Sequence, residues 1–428
     1  METQTLKEET KTSYFLAWVI CICAGLFFAY ELMQFHMLNA ISPMLMKDLK
    51  ITATNLGVLG STYLLADVIF LLPAGIILDY FSTRKVILAA LVVCILGTVG
   101  FALATTFAFA CFAHFLSGIG NAFCFLSCMM FISRWFPPKK QAFVIGIVIT
   151  LGMFGGVLAQ APFTLLAESV TWRNAVLIDA LIGVVIFFLI FFVVRDAPST
   201  TFIKEIKKER NSHFFKDLLS CLVNKQNIFC GIYTSFTNLP LMVIGAAYGS
   251  LYLSQIHKIP FSEASFVTSM ICMGTILGST LFGYISDKTG SRRKYMIMGA
   301  LASLACMLVI LSMQHASFSA MLILFFLLGF LSSSQVLGYP LITEHSPKHL
   351  TGTSMAVAAL IIMGFPGLVQ FTCGKLIDSN WSGKIVDGMP VYAYTDFVRG
   401  FMVFPVTFLL AFIAALFIKE SKAKTQEA

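Results

Sequence analysis

Apolar stretches separated by short polar breaks repeat along the whole of this 428-residue chain. A helix crosses a bilayer with about 20 mostly apolar residues. Runs of that length are predicted at 15–38, 56–79, 84–105, 107–132, 141–166, 174–195, 228–254, 264–286, 294–314, 317–341, 352–378 and 396–418. The pattern therefore predicts twelve spans. The longest polar break, 196–227, carries Lys204, Lys207, Lys208, Arg210, Lys216 and Lys225 and divides the chain six and six. The expected organisation is a polar tail at 1–14 with no cleavable signal, a bundle at 15–195, a basic linker at 196–227, a second bundle at 228–418 and a tail at 419–428.

Composition strengthens that picture. Hydrophobic residues make up 58% and charged residues 12%, with a mean hydropathy of +0.86. Soluble domains carry about 25% charged residues, so the expected surroundings are a lipid bilayer. The formal charge of +8 is accounted for by where the basic residues fall. With the amino terminus in the cytoplasm, 22 of the 29 Lys and Arg lie on the inner side and 7 on the outer side. This is the bias that sets membrane topology, so both termini are expected in the cytoplasm and nucleic acid is not expected as a partner. The 11 Cys residues form no CxxC pair and no Cys/His cluster with metal spacing, which leaves no metal site or cofactor to expect.

The chain also repeats itself. GIILDYFSTRKV follows the second span and GYISDKTGSRRKY the eighth. Both fit Gly-x3-Asp-x4-Arg-basic, pairing Gly75 with Gly283, Asp79 with Asp287, Arg84 with Arg292 and Lys85 with Arg293 at an offset of 208. A second echo, from Pro138 and Pro347, has an offset of 209. Two matches at nearly one offset, each at a turn between equivalent spans, point to a duplicated six-helix unit. Gly at this turn is expected to allow close packing. Asp is expected to pair with the basic residues that follow, making the turn conformational machinery.

Six plus six spans, a basic central loop and this doubled turn resemble the major facilitator superfamily. Arg134-Trp135-Phe136-Pro137, Gly152 with Gly155 and Gly156, Trp172-Arg173 and Arg195-Asp196 agree with that likeness. The resemblance implies an all-α membrane protein whose twelve helices form two pseudo-symmetric bundles. It also implies a monomer with a solute site between the bundles, lined by spans 1, 4, 7 and 10, and alternating access by rocking of the halves. Tyr30-Glu31 and Ile41-Ser42-Pro43-Met44 are loosely similar to the branch of lysosomal dipeptide transporters and nutrient importers of intracellular bacteria. Leu38, Asn39, Ala40 and Ile41 stand where that branch tends to carry Arg.

Ionisable residues inside a span are costly and point to function. From a rise of ~1.5 Å per residue, Glu31, Asp67 and His114 lie roughly 24, 18 and 20 Å from the inner edge of a ~30 Å core. They share one layer of one half, and are the expected proton-coupling or substrate-binding groups. Gln34 shares a face with Glu31, and Asn121 one with His114. With Gln160, Asn238, Gln335, Tyr339 and Gln370 they make up the expected solute-binding set. His36 is read as an interface or headgroup residue, and Asp179 as an outer-end residue. A central acid with an imidazole and amides suits a zwitterion. The expected activity is proton-coupled uptake of an amino acid or short peptide across a bacterial inner membrane. Export of a metabolite, siderophore or amphipathic drug, and a receptor or scaffold without transport, stay open. No nucleophile elbow or phosphate-cradling loop is present, so no enzyme is expected.

Overall fold

The computed structural model describes residues 2–196, 223–346 and 351–420. The linker from Lys204 to Lys216 lies outside them, and so does the side chain of Asp79. Among the described residues, twelve helices are long and apolar enough to cross a membrane. They are α1 (Tyr14–Leu49), α2 (Ala53–Leu78), α3 (Thr83–Ala102), α4 (Phe107–Trp135), α5 (Phe143–Val170), α6 (Trp172–Val193), α7 (Lys225–Ile256), α8 (Phe261–Thr289), α9 (Arg292–Ser312), α10 (Phe318–Glu344), α11 (Ser354–Asp378) and α12 (Tyr394–Phe417). A two-stranded hairpin, β1 (Ile385–Val386) and β2 (Met389–Pro390), lies between α11 and α12. Large apolar side chains such as Leu181, Val185 and Phe192 on α6 stay exposed, as a lipid-facing helix requires.

Prolines explain where the helices depart from the predicted runs. α1 continues through Pro43, well past residue 38. Pro43 has no N–H to offer the carbonyl of Asn39, and the Ser42 hydroxyl donates to that carbonyl instead, at 3.0 Å. α5 breaks at Ala159–Gln160, just before Pro162. From Pro240 to Tyr248, α7 is a π-helix, wholly buried. In α10, Ser333–Leu337 tightens to a 3-10 turn. Irregular turns of this kind free backbone carbonyls for side-chain partners.

The duplicated turns show both the pseudo-symmetry and its limits. Asp196, just beyond α6, accepts from the backbone N–H of Arg84 at 2.9 Å. Glu420, just beyond α12, accepts from that of Arg292. Each bundle thus ties the start of its third helix to the end of its sixth. The Arg84 guanidinium donates to the carbonyl of Phe191, while Arg292 pairs with Asp287 at 3.2 Å and with Glu344. Lys85 is held through its backbone N–H by Ser82, and Arg293 donates to the carbonyl of Leu416. The packing expected of Gly75 and Gly283 is absent: a Cβ at either position would meet nothing within 4 Å. The glycine this turn needs is Gly290, at φ 65°.

Hydrogen bonds joining the two bundles gather on the side of the molecule away from the termini. Asn39 on α1 donates to Ser250 Oγ on α7 at 2.6 Å, and the Ser250 N–H returns a bond at 3.0 Å. Thr164 on α5 donates to Ser265 on α8 at 2.8 Å. Tyr248 donates to the carbonyl of Ala53, and the Ala53 N–H donates to Tyr392. Asp378 accepts from the N–H of Thr54 at 2.7 Å, which caps the start of α2.

Candidate functional site

Tyr63 on α2 sits at the centre of the polar cluster in the first bundle. It is fully buried. Its hydroxyl donates to Glu31 Oε2 at 2.8 Å. Its ring lies 5.1 Å from the His114 ring and 5.5 Å from the Phe35 ring. Two glycines on α4 make room. A Cβ at Gly118 would overlap the Tyr63 carbonyl, and one at Gly120 would overlap Glu31 Oε1. Glu31 is 0% exposed and its Oε1 accepts no hydrogen bond. The carboxyl therefore faces α2, α3 and α4 inside its own bundle, with no Lys or Arg beside it. Neither the residue pattern nor the depth estimate pointed to Tyr63. A Tyr four residues before Asp67 and a Gly-x-Gly on α4 were the available signals.

The three expected groups converge indirectly. His114 lies between Tyr63 and Phe101, with ring centroids 5.1 and 5.2 Å away and the rings tilted, and neither ring nitrogen has a partner. It reaches Glu31 only through Tyr63. Asp67 is buried with Asn121 of α4 as its side-chain partner. Gln34 turns away from the expected solute site and donates to Asp179 Oδ2 on α6. Asp179 is itself 0% exposed, so it is packed within the bundle and not at a surface.

His36, expected at an interface or headgroup, is corrected. It is buried between the bundles, with Gly156 of α5, Cys272 of α8 and Gly245 of α7 around it. Gln160 and Gln370, expected to touch solute, serve as struts here. Gln160 accepts from Asn39 at 2.7 Å and donates to the carbonyl of Gly245 at 2.7 Å. Gln370 donates to the carbonyl of Met242 at 2.7 Å and packs on Gly57 and Gly60 of α2. Both carbonyls belong to the π-helical turns of α7, so those turns receive a side chain from either bundle.

The second bundle supplies a neutral wall. Gln335 on the 3-10 turn of α10 donates to Asn238 Oδ1 on α7 at 2.9 Å. Gln335 Oε1 has no partner. Tyr339 stands one turn further on and is partly exposed, as is Asn121 across the molecule. α1, α4, α7 and α10 carry no Lys or Arg between their end turns. Among the described residues no group of His, Cys, Asp and Glu is arranged to hold a metal.

The family model described as Major Facilitator Superfamily matches residues 17–370 and 228–428. The chain belongs to this superfamily and is a secondary transporter spanning the membrane many times. It is 22% identical over 399 residues to a probable hexose phosphate transport protein of Chlamydia muridarum, covering 86% of this chain and 87% of that one. It is 23% identical over 252 residues to a hexuronate transporter of Bacillus subtilis, spanning 58% of this chain and 60% of that one. Among solved structures, its fold matches a D-xylose-proton symporter at a TM-score of 0.75 and 15% identity, over 96% and 100% of the two chains. It matches a bacterial homolog of the human lysosomal transporter Spinster, in an inward-facing conformation, at 0.74 and 15%, over 94% and 97%.

Proposed function

We propose that this transporter takes up a small, uncharged, hydroxyl-rich solute together with protons, and that Glu31 carries a proton. The observation behind this reading is the placement of Glu31. It is wholly buried within one bundle, and its polar neighbours there are the Tyr63 hydroxyl, which donates to it, and the Cys94 thiol, neither of them a cation. An ionised carboxylate so placed, with no cation, is unfavourable. Protonation removes the penalty, so a change in packing at Glu31 exchanges a proton for a conformation. The solute meets the neutral wall of Asn238, Gln335 and Tyr339, whose amides and hydroxyl suit sugar hydroxyls. The basic bias at the cytoplasmic ends supports an inner-membrane protein with both termini inside, and the superfamily resemblance supports a monomer.

The expectation of an amino acid or peptide placed an ammonium group on Glu31. With Glu31 turned into its own bundle, support moves to a solute held by hydrogen bonds. The absence of Lys and Arg from the central turns of α1, α4, α7 and α10 favours a neutral sugar over a phosphorylated or carboxylated one. Uptake into proteoliposomes tests this, with labelled hexoses, hexuronates, amino acids and dipeptides offered with and without an inward proton gradient. Gradient-dependent accumulation of a hexose supports the reading. Accumulation of amino acids or dipeptides instead restores the zwitterion. Equal uptake with and without the gradient removes the proton.

A further inference from the structure

Besides Asp67, which lies near Glu31 and has Asn121 as its partner, Asp179 is a buried acid that the mechanism above does not use. It is 0% exposed, and its Oδ1 makes no hydrogen bond. Its other oxygen accepts from Gln34 alone. Gln34 is itself 0% exposed, and its Oε1 lacks a partner too. The groups facing Asp179 from neighbouring helices are Tyr30, Glu31 and Gln34 on α1 and Cys94 on α3. None is a cation. On α6 itself, Arg173 is six residues earlier and is bound to Asp48 at 2.6 Å. The outer piece of α5 has no titratable group before Glu168.

Glu31 and Asp179 are thus two buried carboxyls reached from adjacent turns of α1, since Gln34 stands three residues after Glu31 on the same face. Two neighbouring carboxyls without a counter-ion do not both ionise. They titrate as a pair. We propose that Asp179 is a second proton-binding carboxyl, and that Glu31 and Asp179 form one coupled proton store inside the first bundle, with Gln34 holding Asp179 against the stretch of α1 that carries Glu31. This rests on the proton-coupled reading and extends it, because the store holds more than one proton. Gln34 is a positioning residue that ties the state of Asp179 to the turn of α1 carrying Glu31.

The test reads protons directly. Infrared spectra of the purified full chain in lipid nanodiscs are followed against pH, with deuterium exchange marking protonated carboxyls. Asp179→Asn is expected to lose one protonated-carboxyl C=O band relative to the wild type. The titration midpoint of the band removed by Glu31→Gln is expected to shift in Asp179→Asn by about one pH unit or more. An Asp179→Asn spectrum that keeps every protonated-carboxyl band overturns the proposal, and so does an unmoved Glu31 midpoint. Should Asp179→Asn fail to fold, carbon-13 labelling of aspartate carboxyls in an Asp67→Asn background gives the same answer. An isotope-shifted protonated band supports Asp179, and its absence overturns it. Solute uptake is measured separately. Wild-type bands with no gradient-driven accumulation would sink the transport reading alone.

Discussion

The Tyr63 hydroxyl donates to Glu31 Oε2 at 2.8 Å, while the centroid of the same ring lies 5.1 Å from that of His114. One side chain on α2 thereby touches the acid on α1 and the imidazole on α4. A hydrogen bond to a charged group contributes about 1.5–3 kcal/mol. Tyr63→Phe keeps the ring contact and removes the hydroxyl's bonds to the Glu31 carboxyl and, at 3.1 Å, to the Glu31 backbone carbonyl. Gradient-driven accumulation in proteoliposomes is expected to fall roughly tenfold or more, with solute exchange at symmetric pH largely kept. Equal loss of both would mean that Tyr63 acts by packing.

The struts on the π-helical turns of α7 make a second expectation. Gln160→Ala loses the bonds to Asn39 and to the Gly245 carbonyl. At about 1 kcal/mol for each buried bond, the state closed on this side loses ~2 kcal/mol relative to the opposite one. That is roughly a 30-fold shift in the population ratio. Spin labels at Lys50→Cys and Lys258→Cys, one on each bundle, should report a longer distance in Gln160→Ala than in the parent chain.

Glycines on α4 and at the doubled turn should behave in opposite ways. At Gly118 a Cβ meets the Tyr63 backbone, while at Gly75 and Gly283 it meets open space. Gly118→Ala is expected to destabilise by about 1–3 kcal/mol, as overpacking does. Gly75→Ala and Gly283→Ala lie within helices and are expected to be neutral or to stabilise by up to about 1 kcal/mol. Thermal unfolding of the purified protein separates the two outcomes.

His257, just beyond α7, gives a pH dependence outside the membrane. Its Nε2 meets the Tyr252 hydroxyl at 3.1 Å, and its Nδ1 accepts from the N–H of Ala316 at 3.1 Å. Burial, and then the nearby His315, lower it from 6.5 to about 4. Above 6.5 the imidazole is neutral whether folded or unfolded. Between 6.5 and about 4 the unfolded chain takes a proton that the folded chain does not, so stability falls as pH drops through that window. The unfolding temperature should therefore decline from pH 7 to pH 5. His257→Gln should flatten that part of the decline, and an unchanged slope would assign it to other groups.

The twelve spans, their division six and six, and the repeated turn were all legible in the amino-acid order. Bilayer thickness imposes a length and a polarity on every helix, and duplication copies local signals at a constant offset. That Glu31, Asp67 and His114 fall within spanning helices was legible too, because each lies inside one long apolar run. Direction was not. Which way Glu31, Gln34, His36 and Asp179 point depends on how helices distant in sequence tilt against one another, and hydropathy is blind to rotation about a helix axis when the helix is apolar all round. Gln160 and Gln370 became struts because prolines loosened the turns of α5 and α7 and exposed carbonyls opposite them. Sequence determined that acids lie within the membrane. Only the packing of α1 against α2, α4 and α6 decided that Glu31, Asp67 and Asp179 share the interior of one bundle, since that arrangement is set by contacts between residues 32 to 145 positions apart.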